Sequence, residues 1–187
     1  VNPQTMNQET LEIIGRRHTA EETRQAFYLA RECGFDNINM DLIVGLPEET
    51  IEDVRETMRQ LEELDPDNIT VHSLAIKRAA RLRMQKEQYE NLHIENTAQT
   101  IDLTAECCHE MGLEPYYLYR QKNMAGNFEN VGYAKPGKAG VYNILIMEEK
   151  QTIMALGAGA TTKVVFENGK RIERVGNVKA VSYTHLT

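Results

Sequence analysis

The stretch NINMDLIVGLPEET, residues 37–50, joins an alternating strand to a turn and to the start of a helix. Within it, three apolar side chains face one way and three polar side chains face the other: Ile38, Met40 and Leu42 against Asn37, Asn39 and Asp41. Gly45, Leu46 and Pro47 are residue types that favour a turn. A strand buried in a parallel sheet is normally apolar on both faces. The polar face therefore needs an explanation.

Two explanations fit the polar face. The strand lies at the edge of its sheet and faces solvent, or it belongs to a barrel or half-barrel whose polar face lines a ligand cavity. In the second case Asp41 lies near the C-terminal end of its strand, where barrel folds place their sites. An aspartate there, together with Arg16, is suited to binding a zwitterion such as an amino acid.

Helices and strands alternate on both sides of this stretch. Helices are predicted over 7–18, 19–33 (with a capping box at Thr19 and Glu22), from Thr50 to Pro66 and over 95–111, and strands over 36–44, 68–75 and 113–120. This order is typical of βαβ units and a parallel sheet. From residue 121 a long loop rich in Gly and Asn follows. Strands are then predicted over 141–149 and 152–167, with a hairpin turning at Asn168-Gly169.

The change of pattern near residue 120 predicts a domain organisation. An α/β domain is expected over 1–120 and a β-rich C-terminal extension over 121–180. The tail SYTHLT continues no pattern, so residues 181–187 are interpreted as a non-native tail. Because the chain opens on Val1 without a methionine, it is interpreted as a fragment.

Composition and charge exclude several classes of protein. The chain has 187 residues, 41% hydrophobic and 26% charged, which is typical of a globular domain with a sizeable core. A net charge of -7 argues against a nucleic-acid partner. No run approaches the roughly 18 apolar residues of a membrane span. Three cysteines without CxxC spacing predict neither a disulfide framework nor a complete metal site, and a cytoplasmic location is expected.

Several longer motifs resemble one family. VNPQTMNQETLEIIGRRHTAEE, FDNINMDLIVGLPEET and DPDNITVHSLAIK resemble the middle of the oxygen-independent coproporphyrinogen III oxidases, which are radical SAM enzymes. PYYLYRQKNMAGNFENVGYAKPG, VYNILIMEE and ALGAGA are similar to the HemZ branch, coproporphyrinogen dehydrogenases, so that the likeness covers residues 1–165. The resemblance implies the last strands of a six-stranded partial (β/α) barrel, followed by a C-terminal addition.

The resemblance also implies a chemistry. In this family a CxxxCxxC loop binds a [4Fe–4S] cluster, an electron donor protein reduces it, and S-adenosylmethionine (SAM) is cleaved to a radical. That radical starts the conversion of two propionates of coproporphyrinogen III to the vinyl groups of protoporphyrinogen IX. The chain lacks the cluster cysteines. By itself it is therefore expected to be inactive.

Four positions match the family's SAM-contacting residues. Gln4 matches a strand-end glutamine and Arg16 an arginine, whose fork geometry suits a carboxylate. Asp41 matches the strand aspartate, and Ala75 matches a small residue whose backbone approaches the cofactor. The resemblance thus implies that Asp41 is polar because it faces SAM.

Two other functions stay open at this point. Haem chaperones of the same superfamily share the barrel but carry a His-Asn-x-x-Tyr-Trp stretch. Here Tyr142-Asn143 keeps the Asn without the His, and the chain has no Trp. An unrelated barrel lyase or aldolase would use Asp41 and His72 as acid and base. That requires both side chains within reach of one substrate atom.

The remaining candidates are interpreted as structural. His72 is predicted to be an interior histidine, Arg17 and His18 surface residues, and Cys33 and Cys108 core residues. LGAGA, residues 156–160, lacks the spacing of a phosphate-binding loop. The basic segment KRAARLR, residues 77–83, is taken as a solvated face, although it would also suit substrate carboxylates.

Overall fold

The computed structural model of the chain describes residues 1–74, 98–119 and 128–179. Its contacts define two compact units, Val1–Ala139 and Gly140–Thr187. The domain boundary predicted after residue 120 stays a prediction. The basic segment and the predicted tail lie outside the described residues.

Helices of the first unit begin where side chains cap free backbone N–H groups. Asn7 Oδ1 accepts from the second and third residues of α1 (Gln8–Ile13). The capping box predicted at Thr19 is confirmed at the start of α2 (Ala20–Glu32), and Thr50 with Asp53 forms a second box on α3 (Ile51–Leu64). The fourth helix is α4 (Ala98–Glu110). Across the described ranges, none of the helices has both the length and the apolar run that a bilayer span requires.

The predicted strands form a sheet together with one strand that was not predicted. Strands β1 (Asn39–Val44) and β2 (Asn68–Ser73) pair in parallel, with Asp41 opposite Thr70. Strand β3 (Glu114–Tyr119) does not pair with β2. Instead β4 (Asn130–Ala134), from the predicted loop, lies between them and is antiparallel to both. The three predicted strands therefore run in one direction, but the fully parallel arrangement of neighbours is wrong.

Strand β1 is the outermost strand of the four-stranded sheet, but its outer side is covered. Residues 1–4 run beside its other side, where Asp41 N–H donates to the Val1 carbonyl at 3.1 Å and Ile43 N–H donates to the Gln4 carbonyl at 2.8 Å. The alternation predicted for β1 is confirmed, because its residues are by turns half-buried and buried. The edge-strand explanation of the polar face is therefore excluded.

One apolar core lies on the other face of the sheet. It joins side chains of β1 and β2 with Phe27 of α2, Leu61 and Met58 of α3 and Cys108 of α4. The core position predicted for Cys108 is confirmed. The one predicted for Cys33 is wrong: this residue follows the last residue of α2 and is exposed.

The second unit contains a helix and a hairpin. Helix α5 (Val141–Glu148) replaces the strand predicted over 141–149. Its apolar run is continuous and has no period of two. Such a run does not allow a strand to be distinguished from a helix. The predicted hairpin is confirmed: β5 (Thr161–Phe166) pairs antiparallel with β6 (Arg171–Gly176) across a 3₁₀ turn at Glu167–Gly169.

Candidate functional site

Gln4 is held at the C-terminal half of β1 by its backbone. Its N–H donates to the Asp41 carbonyl at 3.0 Å, and the residue is 7% exposed. Its φ of 68° lies in the left-handed region, which is uncommon for a residue other than glycine. The chain thus turns sharply at Gln4 as it leaves the sheet.

Arg16 reaches Gln4 from the end of the next helix. After α1, Gly15 adopts a positive φ of 71° and the Arg16 N–H donates to the Leu11 carbonyl at 2.8 Å. The Arg16 guanidinium then donates through Nη2 to Oε1 of Gln4 at 2.9 Å. This bond uses the only acceptor of the Gln4 amide group. The described residues provide no acceptor for the Gln4 amide nitrogen, so N–H donors of both side chains remain for a ligand.

Asp41 supplies the negative charge of the site. Its Oδ1 accepts from Nδ2 of Asn39 at 2.7 Å and lies 3.8 Å from Nε2 of His72. The Asn2 amide, oriented as its neighbours require, places its nitrogen 2.7 Å from Oδ2 of Asp41. Burial by itself would raise the pKa of Asp41, but the nearby His72 imidazole and the hydrogen bond from Asn39 outweigh it and lower the pKa below its usual value. Asp41 is therefore a carboxylate at neutral pH.

A row of polar side chains continues from Asp41 across the sheet. Thr70 Oγ1 on β2 donates to Oδ1 of Asn39 at 3.0 Å. The ring of Tyr117 on β3 covers Gly132 so closely that a Cβ at Gly132 would lie 2.0 Å from its Cε1 atom. Burial raises the pKa of Tyr117, and the neighbouring Thr70 hydroxyl offsets part of that rise. Three strands thus share one polar surface, with the acidic group at its β1 end.

The structure brings together three of the four residues predicted as SAM contacts. Gln4, Arg16 and Asp41 are linked by the two hydrogen bonds through Gln4, one from its backbone and one to its side chain. Ala75 lies outside the described residues. His72 is half-buried and faces Asp41 rather than a closed interior. Both side chains lie on one face of the sheet, so the opposite-face arrangement that would remove an acid–base pair is not observed.

Two neighbours of the predicted site have structural contacts. His18 is not a free surface residue, because its Nε2 lies 3.2 Å from the Pro3 carbonyl, whereas Arg17 is exposed as expected. In the second unit, the LGAGA loop is held by Asn177, whose amide nitrogen donates to the carbonyls of Ala155 and Gly157. These bonds give the loop a structural role.

Asn2, Tyr117 and Glu49 are features of the site that the sequence did not predict. Tyr117 belongs to the run YYLY, and only the unusual Gly132 opposite it marks its position. Glu49 follows a turn and precedes a helix, and glutamates in such a position are normally solvated. No sequence pattern marks it as buried.

The described residues do not hold a metal centre. Among them, no group of three or more His, Cys, Asp or Glu side chains is arranged to bind a metal ion. Cys107 and Cys108 have pKa values raised by burial, which makes both poor thiolate ligands. The Arg16–Gln4 donors and the Asp41 carboxylate instead suit a zwitterionic organic ligand.

Comparison with known proteins identifies relatives of this chain. Residues 1–61 match the family model of the radical SAM superfamily. The chain is 45% identical over 179 residues to the oxygen-independent coproporphyrinogen-III oxidase-like protein HemZ of Bacillus subtilis (strain 168), covering 96% of this chain and 36% of that protein. It is 29% identical to the heme chaperone HemW of the same organism, covering 94% of this chain and 43% of HemW.

A solved structure shares the fold. Coproporphyrinogen III oxidase (HemN) from Escherichia coli, whose structure is titled a radical SAM enzyme, superimposes with a TM-score of 0.61 at 20% identity. The match covers 97% of this chain and 40% of HemN. The chain therefore spans well under half the length of these relatives. Fold, family model and identity together show that this chain belongs to the radical SAM superfamily, among the oxygen-independent coproporphyrinogen-III oxidase-like proteins.

Proposed function

We propose that this chain is the SAM-binding C-terminal part of a radical SAM oxidoreductase that acts on coproporphyrinogen III. The reaction is the oxidative decarboxylation of two propionates to vinyl groups, which yields protoporphyrinogen IX in anaerobic haem biosynthesis. The observation that carries this proposal is the Gln4–Arg16–Asp41 cluster. It occurs in a chain that is 45% identical to HemZ over 96% of the chain's own length. A cytoplasmic location is part of the same proposal.

The cluster fits the charges of SAM. The N–H donors of Arg16 and Gln4 suit the carboxylate of its methionyl group, because a guanidinium presents several donors in a fixed fork. The Asp41 carboxylate accepts hydrogen bonds from the ammonium group or from ribose hydroxyls. Ala75 is the fourth proposed contact, through its backbone. These residues bind and orient SAM, and none of them is assigned a proton transfer.

The iron–sulfur cluster is assigned to a part of the gene product outside this chain. The chain has neither the cysteine spacing of the family nor, in its described residues, a metal-binding group. When bound, a [4Fe–4S] cluster supplies the electron that cleaves SAM, and an electron donor protein is the partner that reduces it. The chain without that part is expected to be inactive.

The names of two relatives support coproporphyrinogen III as the proposed substrate. Each propionate side chain loses one hydrogen atom, one carbon dioxide molecule and one electron, and a vinyl group remains. Bound SAM, once cleaved, would supply the group that takes up this hydrogen atom, so one SAM would be consumed for each propionate. The electron passes to an acceptor, which is a second redox partner of the reaction.

A second function is favoured by one observation. The chain matches the heme chaperone HemW over 94% of its length, although at the lower identity of 29%. A chaperone would bind haem stoichiometrically and would not decarboxylate a substrate. The acid–base lyase is not proposed, because the chain belongs to the radical SAM superfamily even though Asp41 and His72 face each other.

Anaerobic turnover separates the two functions. The complete gene product containing this chain is reconstituted with iron and sulfide, reduced, and given SAM and coproporphyrinogen III. We expect protoporphyrinogen IX, carbon dioxide and 5′-deoxyadenosine, with two SAM molecules consumed per macrocycle. Stoichiometric haem binding without any of these products would establish the chaperone instead.

A further inference from the structure

Glu49 is a buried acidic residue next to the cofactor site. It precedes Thr50, the cap of α3, and is only 3% exposed. The Thr5 hydroxyl donates to its Oε1 at 2.5 Å. Thr5 directly follows Gln4. The carboxyl group of Glu49 thus accepts a hydrogen bond from the residue that directly follows a proposed SAM contact.

The same segment is tied to α3 by three further hydrogen bonds. Thr57 Oγ1 lies 3.2 Å from the Thr5 hydroxyl and accepts from the Met6 N–H at 3.2 Å. Asn7 donates through its side chain to Oδ1 of Asp53 at 3.1 Å. Residues 5–7 are therefore fixed to the first turns of α3, and Thr5, the residue next to Gln4, contacts both Glu49 and Thr57.

Gln4 needs such fixed neighbours. Its left-handed φ of 68° is unfavourable for a residue with a Cβ, and such conformations persist only where the surrounding structure imposes them. The same conformation carries the Gln4 amide to Arg16, with the 2.9 Å hydrogen bond between them. If Thr5 were released, Gln4 would be free to relax away from that geometry.

The surroundings of Glu49 favour a structural role over a ligand-binding one. The cavity beside Glu49 and Gln4 measures about 10 Å³, which is the space of one water molecule at most. Burial raises the pKa of Glu49 to about 7, although hydrogen bonds from Thr5 and Thr10 oppose that rise. The charged group that faces it among the described residues is Asp53, which adds to the rise. A ligand has no room at this carboxyl.

We propose that Glu49 is a positioning residue of the cofactor site, which through Thr5 holds Gln4 in the conformation that presents its side chain beside Arg16. This inference rests on the proposed SAM-binding role of Gln4. It predicts that the hydrogen-bond acceptor at position 49 matters for SAM binding, and that the negative charge there does not.

The test is equilibrium SAM binding by the complete gene product, reconstituted anaerobically, with four variants. Glu49→Ala should weaken SAM affinity by about tenfold, the worth of one good hydrogen bond. Glu49→Gln should restore affinity to within about threefold, because its amide oxygen accepts from Thr5. Gln4→Ala is the benchmark for loss of the contact itself. Asp67→Ala, directly before β2, should lower the thermal midpoint but leave SAM affinity unchanged.

The outcomes separate the inference from the proposed function. Wild-type protein that fails to bind SAM overturns both. If Gln4→Ala weakens binding while Glu49→Ala does not, only the positioning role is overturned. The same holds if Asp67→Ala weakens binding as much as Glu49→Ala, since the effect then tracks stability. Should Glu49→Ala not fold, Thr5→Val against Thr5→Ser decides, and equal affinities of these two variants contradict the proposal.

Discussion

Asp67 shows how one carboxylate joins three elements at the start of the sheet. It is 6% exposed, its Oδ2 accepts from the Ile38 N–H at 2.9 Å, and Nη1 of Arg31 lies 2.6 Å away. The buried negative charge of Asp67 is stabilised because both partners donate hydrogen bonds to its carboxylate. Removing it would leave a buried N–H group without its acceptor.

The variant Asp67→Ala is therefore expected to destabilise the protein by about 2–4 kcal/mol. Urea unfolding of the complete gene product measures this change. The matched control is Asp36→Ala, which removes a 91% exposed carboxylate 3.6 Å from Lys138 and should cost less than about 0.5 kcal/mol. If both variants lose the same free energy of unfolding, then the burial of Asp67 does not account for its contribution to stability.

Glu49 makes a different prediction, on pH dependence. Its pKa of about 7 in the folded state lies above the ordinary 4.5, so the folded state binds the extra proton between these values. Stability from this group is complete at low pH and falls as pH rises from about 4.5 to 7, by an amount on the order of 3 kcal/mol. In Glu49→Gln that part of the decline should disappear, as urea unfolding between pH 5 and pH 8 would reveal. Parallel pH curves for wild type and variant would contradict it.

At the scale of elements, the sequence predicted most helices and strands but not the neighbours in the sheet. Capping boxes and the alternation in β1 are local signals, so α2, α3 and β1 were found near their observed bounds. Strand β4 escaped prediction because its pairing partners come from distant β2 and β3. Helix α5 escaped because its apolar run has no distinguishing period.

The packing of β3 on β4 depends on the glycine at position 132, which leaves room for the ring of Tyr117. Gly132→Ala would place a Cβ 2.0 Å from the Tyr117 ring, and we expect a loss of about 1–3 kcal/mol as the ring is displaced. Gly176→Ala is the control, because a Cβ there meets no atom within 4 Å. In a double-mutant cycle measured by chemical unfolding, Gly132→Ala should cost much less in a Tyr117→Ala background. Additive losses would show that the two residues do not collide.

At the scale of the whole molecule, the charged groups of the site come from separate parts of the chain. Arg16 follows α1, Asp41 lies on β1, and Gln4 bonds to both. The polar face of β1 predicted a ligand surface from chemistry, whereas Gln4 was predicted as a cofactor contact only from the family resemblance. The hydrogen bond between Gln4 and Arg16 was not predicted. Glu49 and Tyr117 could not be found, because burial of a polar residue depends on packing between distant elements.

The measurement to make first is the SAM affinity of two arginine variants of the complete, reconstituted gene product. Arg16 and Arg17 are both exposed and carry the same charge, but Arg16 is the one that donates a hydrogen bond to Gln4. We predict that Arg16→Ala weakens SAM binding by at least about tenfold and that Arg17→Ala stays within about twofold of wild type. Equal affinities for the two variants, or no SAM binding by wild type, would show that Gln4, Arg16 and Asp41 do not form the cofactor site.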